Sequence, residues 1–532
     1  MSLNTSNGKR TLNGRIRPAD VFFWILIVLT PLISAGILYL VTGTSTSPLK
    51  LDAWNTTWND EIGYYRVVTL LRGEFYPRGM AGYNEVPPVN LAYGPYNIFT
   101  YLPYYALSFI TGIGSHNFIC YSNVILSVLA CLLFVLLVRP DAREGLFCML
   151  FLAAYLIAGR YNWSGMSEGS YNFFLILFTA LVLWMMRRPE ASPAAQGCAL
   201  FVMIAIVFFW NVMRPYYFPL LIVPVYMIFR KKSRLTAPFK VLFLLLAAAA
   251  AAGSLGLYFY LTKNYVAHYF TETSPSKALF ALLSDGSPLR MLKQILRANL
   301  DALREIRGYL LNSRWAGVVS ILYFAQSLLI LALLLRSLFA RDKERDGRCA
   351  VLFFMLAAGF AIYEANVVLY SPVQLHRMML AVTLSYGLIL AVLGGWERIA
   401  CQAVLMVLML FLILRAPENF RLPQVDSRTL SAEKEKALRD DFAMIFPLEE
   451  DPWDNTIAKL TESDDLQWEF MLPSYTALNI CQLSKMETLL KERSIRSKFV
   501  LLEKDSELNA LCTANRYPVV WKGYGRILYK TR

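Results

Sequence analysis

Long apolar runs constrain this chain more than any other feature. A helix that crosses the roughly 30 Å hydrocarbon core of a bilayer needs about 20 predominantly apolar residues. Runs near this length recur at 21–42, 97–112, 117–138, 143–159, 168–187, 197–213, 214–230, 238–261, 316–339, 348–370, 376–394 and 396–415. They predict an all-α polytopic membrane protein with about 11–12 transmembrane helices.

The composition agrees with a membrane protein and excludes several other classes. Hydrophobic residues make up 56% of the 532 residues and charged residues only 17%, whereas soluble chains carry about 25% charged residues. A soluble enzyme, a disordered chain and a disulfide scaffold are therefore excluded. We attribute the net charge of +14 to cytoplasmic anchoring and contact with membrane lipids, and expect no nucleic-acid partner, since no stacking or zinc-finger motif accompanies it.

Basic residues in the short loops indicate how the chain is oriented, because Lys and Arg concentrate on the cytoplasmic side. The basic positions are the N-terminus, Arg139, Arg143, Arg187, Arg188, 230–234, 341–348 and Arg398. Their alternation predicts a cytoplasmic N-terminus and an extracytoplasmic C-terminal part, in a bacterial plasma membrane. The run 97–112 breaks the alternation if it crosses fully. It contains Pro103, and we expect it to lie at the interface or to re-enter, which leaves 11 full spans.

Three parts follow from this pattern. Residues 1–20 form a cytoplasmic N-terminus, 21–415 a transmembrane domain with outer loops at 43–93 and 262–315, and 416–532 an extracytoplasmic domain. The first apolar run is too long for a signal-peptide core, so we interpret it as an uncleaved span. Strand-like segments at 499–502, 517–521 and 526–529 and a helical one at 484–493 predict a small C-terminal α/β domain.

Two features of the outer parts leave alternatives open. Residues 289–311 alternate Leu and Ile with Arg and Lys, which is typical of a basic amphipathic helix. This helix would lie either on the membrane surface or against its own protein. Cys481 and Cys512 could form a disulfide if the C-terminal part lies outside the cytoplasm, and no CxxC spacing indicates a metal.

Candidate catalytic residues occur in the first outer loop. Asp60 and Glu61 stand between aromatic residues, and on a helix Tyr64 shares their face. A carboxylate at the membrane boundary could accept a proton from a hydroxyl that attacks a lipid-linked donor. A phosphate leaving group then needs a cation but little proton donation. The alternative is that Asp60 caps an interfacial helix and Glu61 is solvated.

The motif Asp60-Glu61-x-x-Tyr64 resembles the first-loop Asp-Glu motif of GT-C membrane glycosyltransferases. It is most similar to protein O-mannosyltransferases and lipid A aminoarabinose transferases. The order of elements is also similar, with Pro87-Pro88 and 93–95 before an aromatic segment and an outer domain at the C-terminus. This chain departs from the mannosyltransferases because no large lumenal insert is evident.

The resemblance implies an inverting transfer of a hexose or pentose from a polyprenyl-phosphate sugar donor to an extracytoplasmic glycan, lipid or protein acceptor. Asp60 would then be the catalytic base or the carboxylate that orients the acceptor. Glu61 would organise the loop or bind the acceptor, and Asp52 and Tyr64 would contact the sugar or acceptor. No cofactor is required by this chemistry, although a divalent cation bridging Asp60 and a donor phosphate is left open.

Four further residues are predicted to lie at the same outer face. Glu168 starts a span, where a carboxylate is also favoured simply as a helix-terminal residue. Arg214 stands between two apolar runs, at a depth where a cation needs a phosphate partner or must snorkel to water. In the resembling enzymes a cation here faces the lipid phosphate. Arg377 is a second phosphate-binding candidate, and His376 either binds the acceptor or is an ordinary interfacial histidine.

Three other functions remain open from the sequence. A flippase or transporter of a lipid-linked sugar would need charges along a path through the membrane. A surface polysaccharide polymerase or ligase would fit the basic stretch 289–314, and an inactive scaffold would keep only the fold. No metal-ligand spacing, phosphate-binding Gly loop or Ser-His-Asp arrangement is present in the sequence.

Overall fold

The computed structural model shows a helical bundle joined to a mixed sheet. It describes residues 16–42, 59–73, 82–85, 97–112, 118–265, 287–312, 315–339, 346–369, 375–393, 432–446, 452–460, 471–473 and 475–532, with isolated residues between 403 and 417. The predicted span 396–415 therefore lies largely outside the described residues, as do residues 43–58 of the first outer loop.

The bundle consists of helices of very different lengths. The first group is α1 (Pro18–Thr42), α2 (Asn59–Gly73), α3 (Leu102–Thr111), α4 (Phe118–Val138), α5 (Ala142–Ala154), α6 (Leu156–Asn162) and α7 (Glu168–Arg187). The second group is α8 (Pro193–Met213), α9 (Ile222–Phe229), α10 (Ala237–Tyr265), α11 (Pro288–Leu311), α12 (Trp315–Phe339), α13 (Asp346–Leu369) and α14 (Leu375–Val392). Short 3-10 turns precede α3 at Ile98–Thr100 and α9 at Phe218–Leu221.

Seven of the described helices are long and apolar enough to cross a membrane, or eight if a bent pair counts as one span. The bent pair is α5 and α6, which meet at 67° within the predicted span 143–159. These helices confirm the prediction of a polytopic membrane protein. The segment 97–112, which we expect not to cross fully, contains a 3-10 turn and the ten-residue α3. The predicted span 214–230 is shorter than expected and contains a 3-10 turn and α9.

The basic loops gather at one end of the bundle, which we call the lower end. There the backbone N–H of Ala142 donates to Asp20 at 2.7 Å, and Arg187 donates to the Val138 carbonyl at 2.8 Å. Arg230 donates to the Met185 carbonyl at 2.7 Å. Cations here satisfy the carbonyls that a helix leaves free at its C-terminus. The upper end is the opposite one, where α4 and α7 begin.

Local capping explains why α5 and α8 start at the lower end. Asp141 and Glu144 form a reciprocal capping box, in which each side chain accepts from the other residue's backbone N–H. Ser192 caps α8, and Pro193 occupies its first position, where the missing N–H costs nothing. These turns set where the apolar runs enter and leave the bundle.

The C-terminal part is an α/β domain. Its elements are α15 (Ala432–Ile445), β2 (Thr456–Leu460), β3 (Ala477–Cys481), α16 (Leu483–Glu492), β4 (Phe499–Glu503), α17 (Leu508–Ala514), β5 (Val519–Gly523) and β6 (Arg526–Lys530). The sheet order is β1-β3-β2-β4-β6-β5, in which β1 is Gly82–Tyr83 from the first outer loop. The pairs β1–β3, β3–β2 and β2–β4 are parallel, while β4–β6 and β6–β5 are antiparallel.

Helices cover both faces of this sheet. Phe446, just after α15, meets Phe499 of β4 at a ring distance of 4.6 Å. On the other face Met486 and Leu490 of α16 and Leu508 of α17 pack with the alternate strand residues. Strand β4 is buried on both sides, and its sequence is therefore a continuous apolar run. That run predicted the strand from the sequence.

The domain is docked on α2. Arg66 donates to the backbone carbonyls of Pro473, at 3.3 Å, and Thr476. Arg439 of α15 donates to the hydroxyl of Tyr65 at 3.3 Å. The helix that carries the Asp-Glu pair is therefore held between the bundle and the C-terminal domain.

Glu85 clamps the first outer loop to the same domain. Its carboxylate is 6% exposed and accepts from the backbone N–H of Arg496 at 2.9 Å and of Ser497 at 3.0 Å. The Ser497 hydroxyl donates to it as well, at 2.6 Å. Asn84 and Glu85 both adopt positive φ angles, 51° and 63°, a backbone conformation that costs free energy unless contacts such as these hold it.

Cys481 and Cys512 are buried free thiols in this domain. Burial raises the pKa of Cys481 to about 12, with a further rise from the Glu85 carboxylate, and burial raises the pKa of Cys512 to about 12. Only the thiolate reacts with alkylating agents. We therefore expect neither residue to react with iodoacetamide at pH 8 in the folded protein, although both react after denaturation, as measured by mass spectrometry.

The denatured protein is the control for that measurement, because alkylation of both residues there shows that each can react and be detected. A disulfide-linked Cys481–Cys512 peptide, or alkylation of either residue in the folded protein as fast as after denaturation, would contradict the expectation.

Candidate active site

The start of α2 lies against the upper end of the bundle. The Tyr64 ring packs on Tyr101 at 5.8 Å, and the Tyr65 ring on Phe118 of α4 at 5.7 Å. Farther along, the Arg72 guanidinium sits 4.1 Å from the centre of the Phe109 ring, a cation–π contact. Three aromatic contacts thus fix the helix on which Asp60 lies one turn before Tyr64.

The start of α7 is fixed by Asn123 of α4. Its side-chain N–H group donates to the carbonyls of Ser164 and Met166, both at 2.8 Å. Its oxygen accepts from the Tyr104 hydroxyl at 3.0 Å. Gly169 allows this approach, since a Cβ there would lie only 2.8 Å from the Asn123 Cβ. The close contact determines where the neighbouring Glu168, 1% exposed, enters the helix.

Two asparagines hold the backbone around Arg214, the residue that ends α8. Asn211 accepts from the Phe218 N–H at 3.1 Å and donates to Ser254 of α10 at 2.6 Å. Asn97 donates to the Val212 carbonyl at 2.7 Å. The turn between α8 and α9 is therefore tied to two other segments, and Arg214 is held at the upper end with only 5% of its surface exposed.

A chain of hydrogen bonds joins Arg214 to α2. Arg214 Nε donates to the Tyr171 hydroxyl oxygen at 3.0 Å, and Ser167 Oγ donates to the same oxygen at 3.3 Å. Ser167 Oγ also lies 3.0 Å from the Tyr64 hydroxyl. Either hydroxyl could be the donor in that contact. The chain runs from Tyr64 through Ser167 and Tyr171 to the guanidinium.

Aromatic rings enclose this cation. The Arg214 guanidinium carbon lies 5.9 Å from the centre of the Tyr171 ring. Trp210 stacks on Tyr217 at 3.9 Å, and Tyr171 packs beside both. The Trp210 indole N–H has no hydrogen-bond partner among the described residues, so this aromatic cluster contains a donor that a ligand could use.

Tyr217 belongs to the same aromatic cluster. It is fully buried and packs on both Trp210 and Tyr171. The site combines one cation, one carboxylate and several neutral hydroxyls in a setting that excludes water, where charge interactions are strong.

The structure brings together three of the residues proposed from the sequence: Tyr64, Glu168 and Arg214. Asp60 and Glu61 lie in the first turn of α2, but their side chains are outside the described part of the chain, and Asp52 is outside it altogether. His376 and Arg377 occupy the first turn of α14, again without described side chains.

The start of α14 nevertheless belongs to the upper end. Tyr155, at the junction of α5 and α6, donates to the Leu380 carbonyl, while Phe151, one turn earlier in α5, packs at Gly387. Thus α14 runs antiparallel to α5, which starts at the lower end. Residues 376 and 377 begin their helix on the side where Arg214 lies.

Several residues of the site were not identified from the sequence. Ser167, Tyr171, Trp210 and Asn123 each position Arg214 or Glu168 through contacts between different helices. Two sequence features could have indicated them: Ser167 directly precedes Glu168, and aromatic residues are frequent at both span ends. In the part of the chain that the structure describes, no group of three or more His, Cys, Asp or Glu could hold a metal ion.

Several solved structures are similar to this chain. The oligosaccharyltransferase of Archaeoglobus fulgidus in the apo form is 12% identical over 91% of this chain and 70% of its own length, with a TM-score of 0.47. ArnT from Cupriavidus metallidurans bound to undecaprenyl phosphate is 13% identical over 94% of this chain and 98% of its own, with a TM-score of 0.46.

A third structure, archaeal AglB from Archaeoglobus fulgidus in complex with an inhibitory peptide and a dolichol-phosphate, is 12% identical over 94% of this chain and 72% of its own, with a TM-score of 0.45. No protein-family model and no curated protein sequence matches the chain. These likenesses concern the chain path, and the role of each residue here is inferred from its own contacts.

Replacing Gly169 by alanine tests the contact that sets the start of α7. The added methyl group collides with Asn123, and overpacking of a buried site costs about 1–3 kcal/mol. We expect a lower melting temperature of the purified protein in detergent. Gly36→Ala in α1 is the matched control, because nothing lies within 4 Å of a Cβ there. Equal melting temperatures for the two variants would disprove the contact.

Proposed function

We propose that this protein is an integral-membrane glycosyltransferase that moves a sugar from a polyprenyl-phosphate carrier to an acceptor at the upper face of the bundle. The observation that carries the proposal is the buried Arg214, held by Tyr171 and connected through Ser167 to Tyr64 on the helix of Asp60. A cation placed at the end of membrane-spanning helices is suited to the phosphate of a lipid-linked donor.

The burial of Arg214 supports an anionic ligand. Placing a guanidinium out of water is unfavourable unless its charge and N–H groups are compensated. Its Nε donates to the Tyr171 hydroxyl, and its guanidinium carbon lies 5.9 Å from the centre of the Tyr171 ring. A donor phosphate would supply the charge-assisted, bidentate pairing that guanidinium groups favour. The Trp210 N–H is a further donor in the same aromatic cluster.

The proposed reaction is a single displacement. The acceptor hydroxyl attacks the anomeric carbon, its proton passes to the Asp60 carboxylate, and the carbon–oxygen bond to the phosphate breaks, so that polyprenyl phosphate leaves. Arg214, with Arg377 as a second candidate, stabilises the charge that develops on the leaving phosphate. Asp52, Glu61, Tyr64, Glu168 and His376 are proposed to contact the sugar or the acceptor.

No cofactor is needed in this scheme because the phosphate is already a good leaving group, and a divalent cation remains an option that it does not require. We further propose that the lower end, with its basic loops, faces the cytoplasm of a bacterial cell. The upper end and the C-terminal domain then face outward, where the acceptor is a glycan, a lipid or a protein.

Asp60→Asn tests the base. Loss of a general base slows a reaction about 10²- to 10⁴-fold, so we expect release of polyprenyl phosphate from a panel of polyprenyl-phosphate sugars to fall by that factor. The melting temperature should remain that of the unmodified protein. Asp505→Asn, an exposed site in the C-terminal domain, should transfer normally. Transfer by Asp60→Asn at the normal rate would refute the role of Asp60.

Arg214→Gln tests the phosphate site. Hydrogen bonds to charged groups contribute about 1.5–3 kcal/mol, which corresponds to roughly a 10- to 150-fold loss in kcat/KM. Arg214→Lys should keep part of the activity because the charge remains. Arg143→Gln at the opposite end of the bundle is the control and should transfer normally. If the protein binds or flips the lipid-linked sugar but releases no polyprenyl phosphate, a flippase is supported instead.

A further inference from the structure

Helix α11 has one face packed on its own protein. Ala302 and Ile306, one turn apart, are buried where α11 contacts α12 and α13. Asn299 donates to the Glu364 carboxylate of α13 at 3.0 Å. Of the two alternatives for this helix, packing against its own protein therefore holds for one side. The exposed apolar residues on its other sides need a separate explanation.

A ridge of exposed leucines occupies a second side of α11. Five leucines recur every three or four residues and each is more than half exposed: Leu289, Leu292, Leu296, Leu300 and Leu303. Such spacing places them on one stripe. An apolar stripe of this length is not stable in water and indicates a contact with something apolar.

The position of α11 relative to the spans indicates what the ridge contacts. Its C-terminus at Leu311 lies just before the span Ala316–Arg336 begins, and Asn299 reaches Glu364 near the end of the span Cys349–Val368. These two points are 12 residues apart on α11, about 18 Å. The helix therefore lies across the ends of two spans, at the depth where the hydrocarbon core stops.

The two spans that α11 contacts also face lipid. They expose large apolar side chains along their length, among them Leu328 of α12 and Phe360 of α13. Because membrane-spanning helices present such residues to acyl chains, α11 packs on helices that border the bilayer.

Charge distribution on α11 matches an anionic membrane surface. Exposed cations flank the leucine ridge: Arg290, Lys293, Arg297, Arg304 and Arg307. The two acidic residues, Asp301 and Glu305, lie four residues apart on a different side of the helix. A helix lying in the interface directs its apolar face to the acyl chains and its Lys and Arg to the headgroups.

We propose that α11 is an interfacial helix that inserts its leucine ridge into the upper leaflet and binds anionic phospholipid headgroups through Arg290, Lys293 and Arg297. The opposite side, at Glu305, faces water. The surface thus gives the protein a preference for anionic lipid at the end of the bundle where Arg214 lies, independently of any transfer reaction.

Fluorescence quenching tests the depth of the ridge. Leu296→Cys, Leu303→Cys and Glu305→Cys are each made in a full-length chain whose Cys198, Cys349 and Cys401 are serine, labelled with an NBD fluorophore and placed in phosphatidylcholine–phosphatidylglycerol vesicles. We expect doxyl groups on the acyl chains to quench the labels at 296 and 303, and aqueous iodide to quench the label at 305. Iodide quenching at all three positions would overturn the proposal.

Lipid selectivity tests the cations. In the same vesicles, spin-labelled phosphatidylglycerol should be immobilised by the protein in preference to spin-labelled phosphatidylcholine. Arg290→Gln/Lys293→Gln/Arg297→Gln should lower that preference at least about threefold, since each cation near an anionic surface contributes to binding. Lys491→Gln/Lys504→Gln/Lys522→Gln, at exposed sites of the C-terminal domain, should leave it unchanged.

Two results would contradict the proposal that lipid covers the ridge. Self-quenching between labels at Leu296→Cys, lost when labelled protein is diluted with unlabelled protein, would show a second copy of the chain on the ridge. An unchanged preference for phosphatidylglycerol in the α11 triple variant would show that the cations do not bind headgroups. Either result refutes the proposal whether or not the protein transfers sugar.

Discussion

A guanidinium buried at the end of a membrane-spanning bundle is the constraint on which the rest of this site depends. Arg214 is almost wholly removed from water, and its Nε is satisfied by the Tyr171 hydroxyl at 3.0 Å. Holding that hydroxyl in place requires the start of α7 to be fixed, which the Asn123 contacts with Ser164 and Met166 achieve. A polar network of this kind is stable only if every member keeps its partner.

The same network explains why α2 matters. This helix is short and only moderately apolar, so it cannot hold its place by crossing the membrane. It is held instead by aromatic packing below and by the C-terminal domain above, where Arg66 and Arg439 make their hydrogen bonds. A candidate base in its first turn is thereby positioned by groups that are hundreds of residues away in sequence.

The sequence predicted the features that depend on local pattern. Spans were predictable because a bilayer fixes the length of an apolar helix, and β4 and β6 because their strands are apolar and regular. The sequence missed β2 and β3, because the buried polar residues Lys459 and Asn479 interrupt their apolar pattern. Arg214 was predictable because a cation at that depth is costly. Tyr171 and Ser167 were not, because their importance arises only when separate helices meet.

The Glu85 clamp requires the first outer loop and the C-terminal domain to fit each other. The Glu85 carboxylate accepts three hydrogen bonds. Asn84 and Glu85 both have positive φ angles, and this backbone conformation places the carboxylate against the backbone at 496 and 497. A chimaera that exchanged the C-terminal domain alone would break this fit, whereas one that carried both segments would preserve it. Divergence of these two surfaces is thus constrained to proceed jointly, although 411 residues separate the contacting positions in sequence.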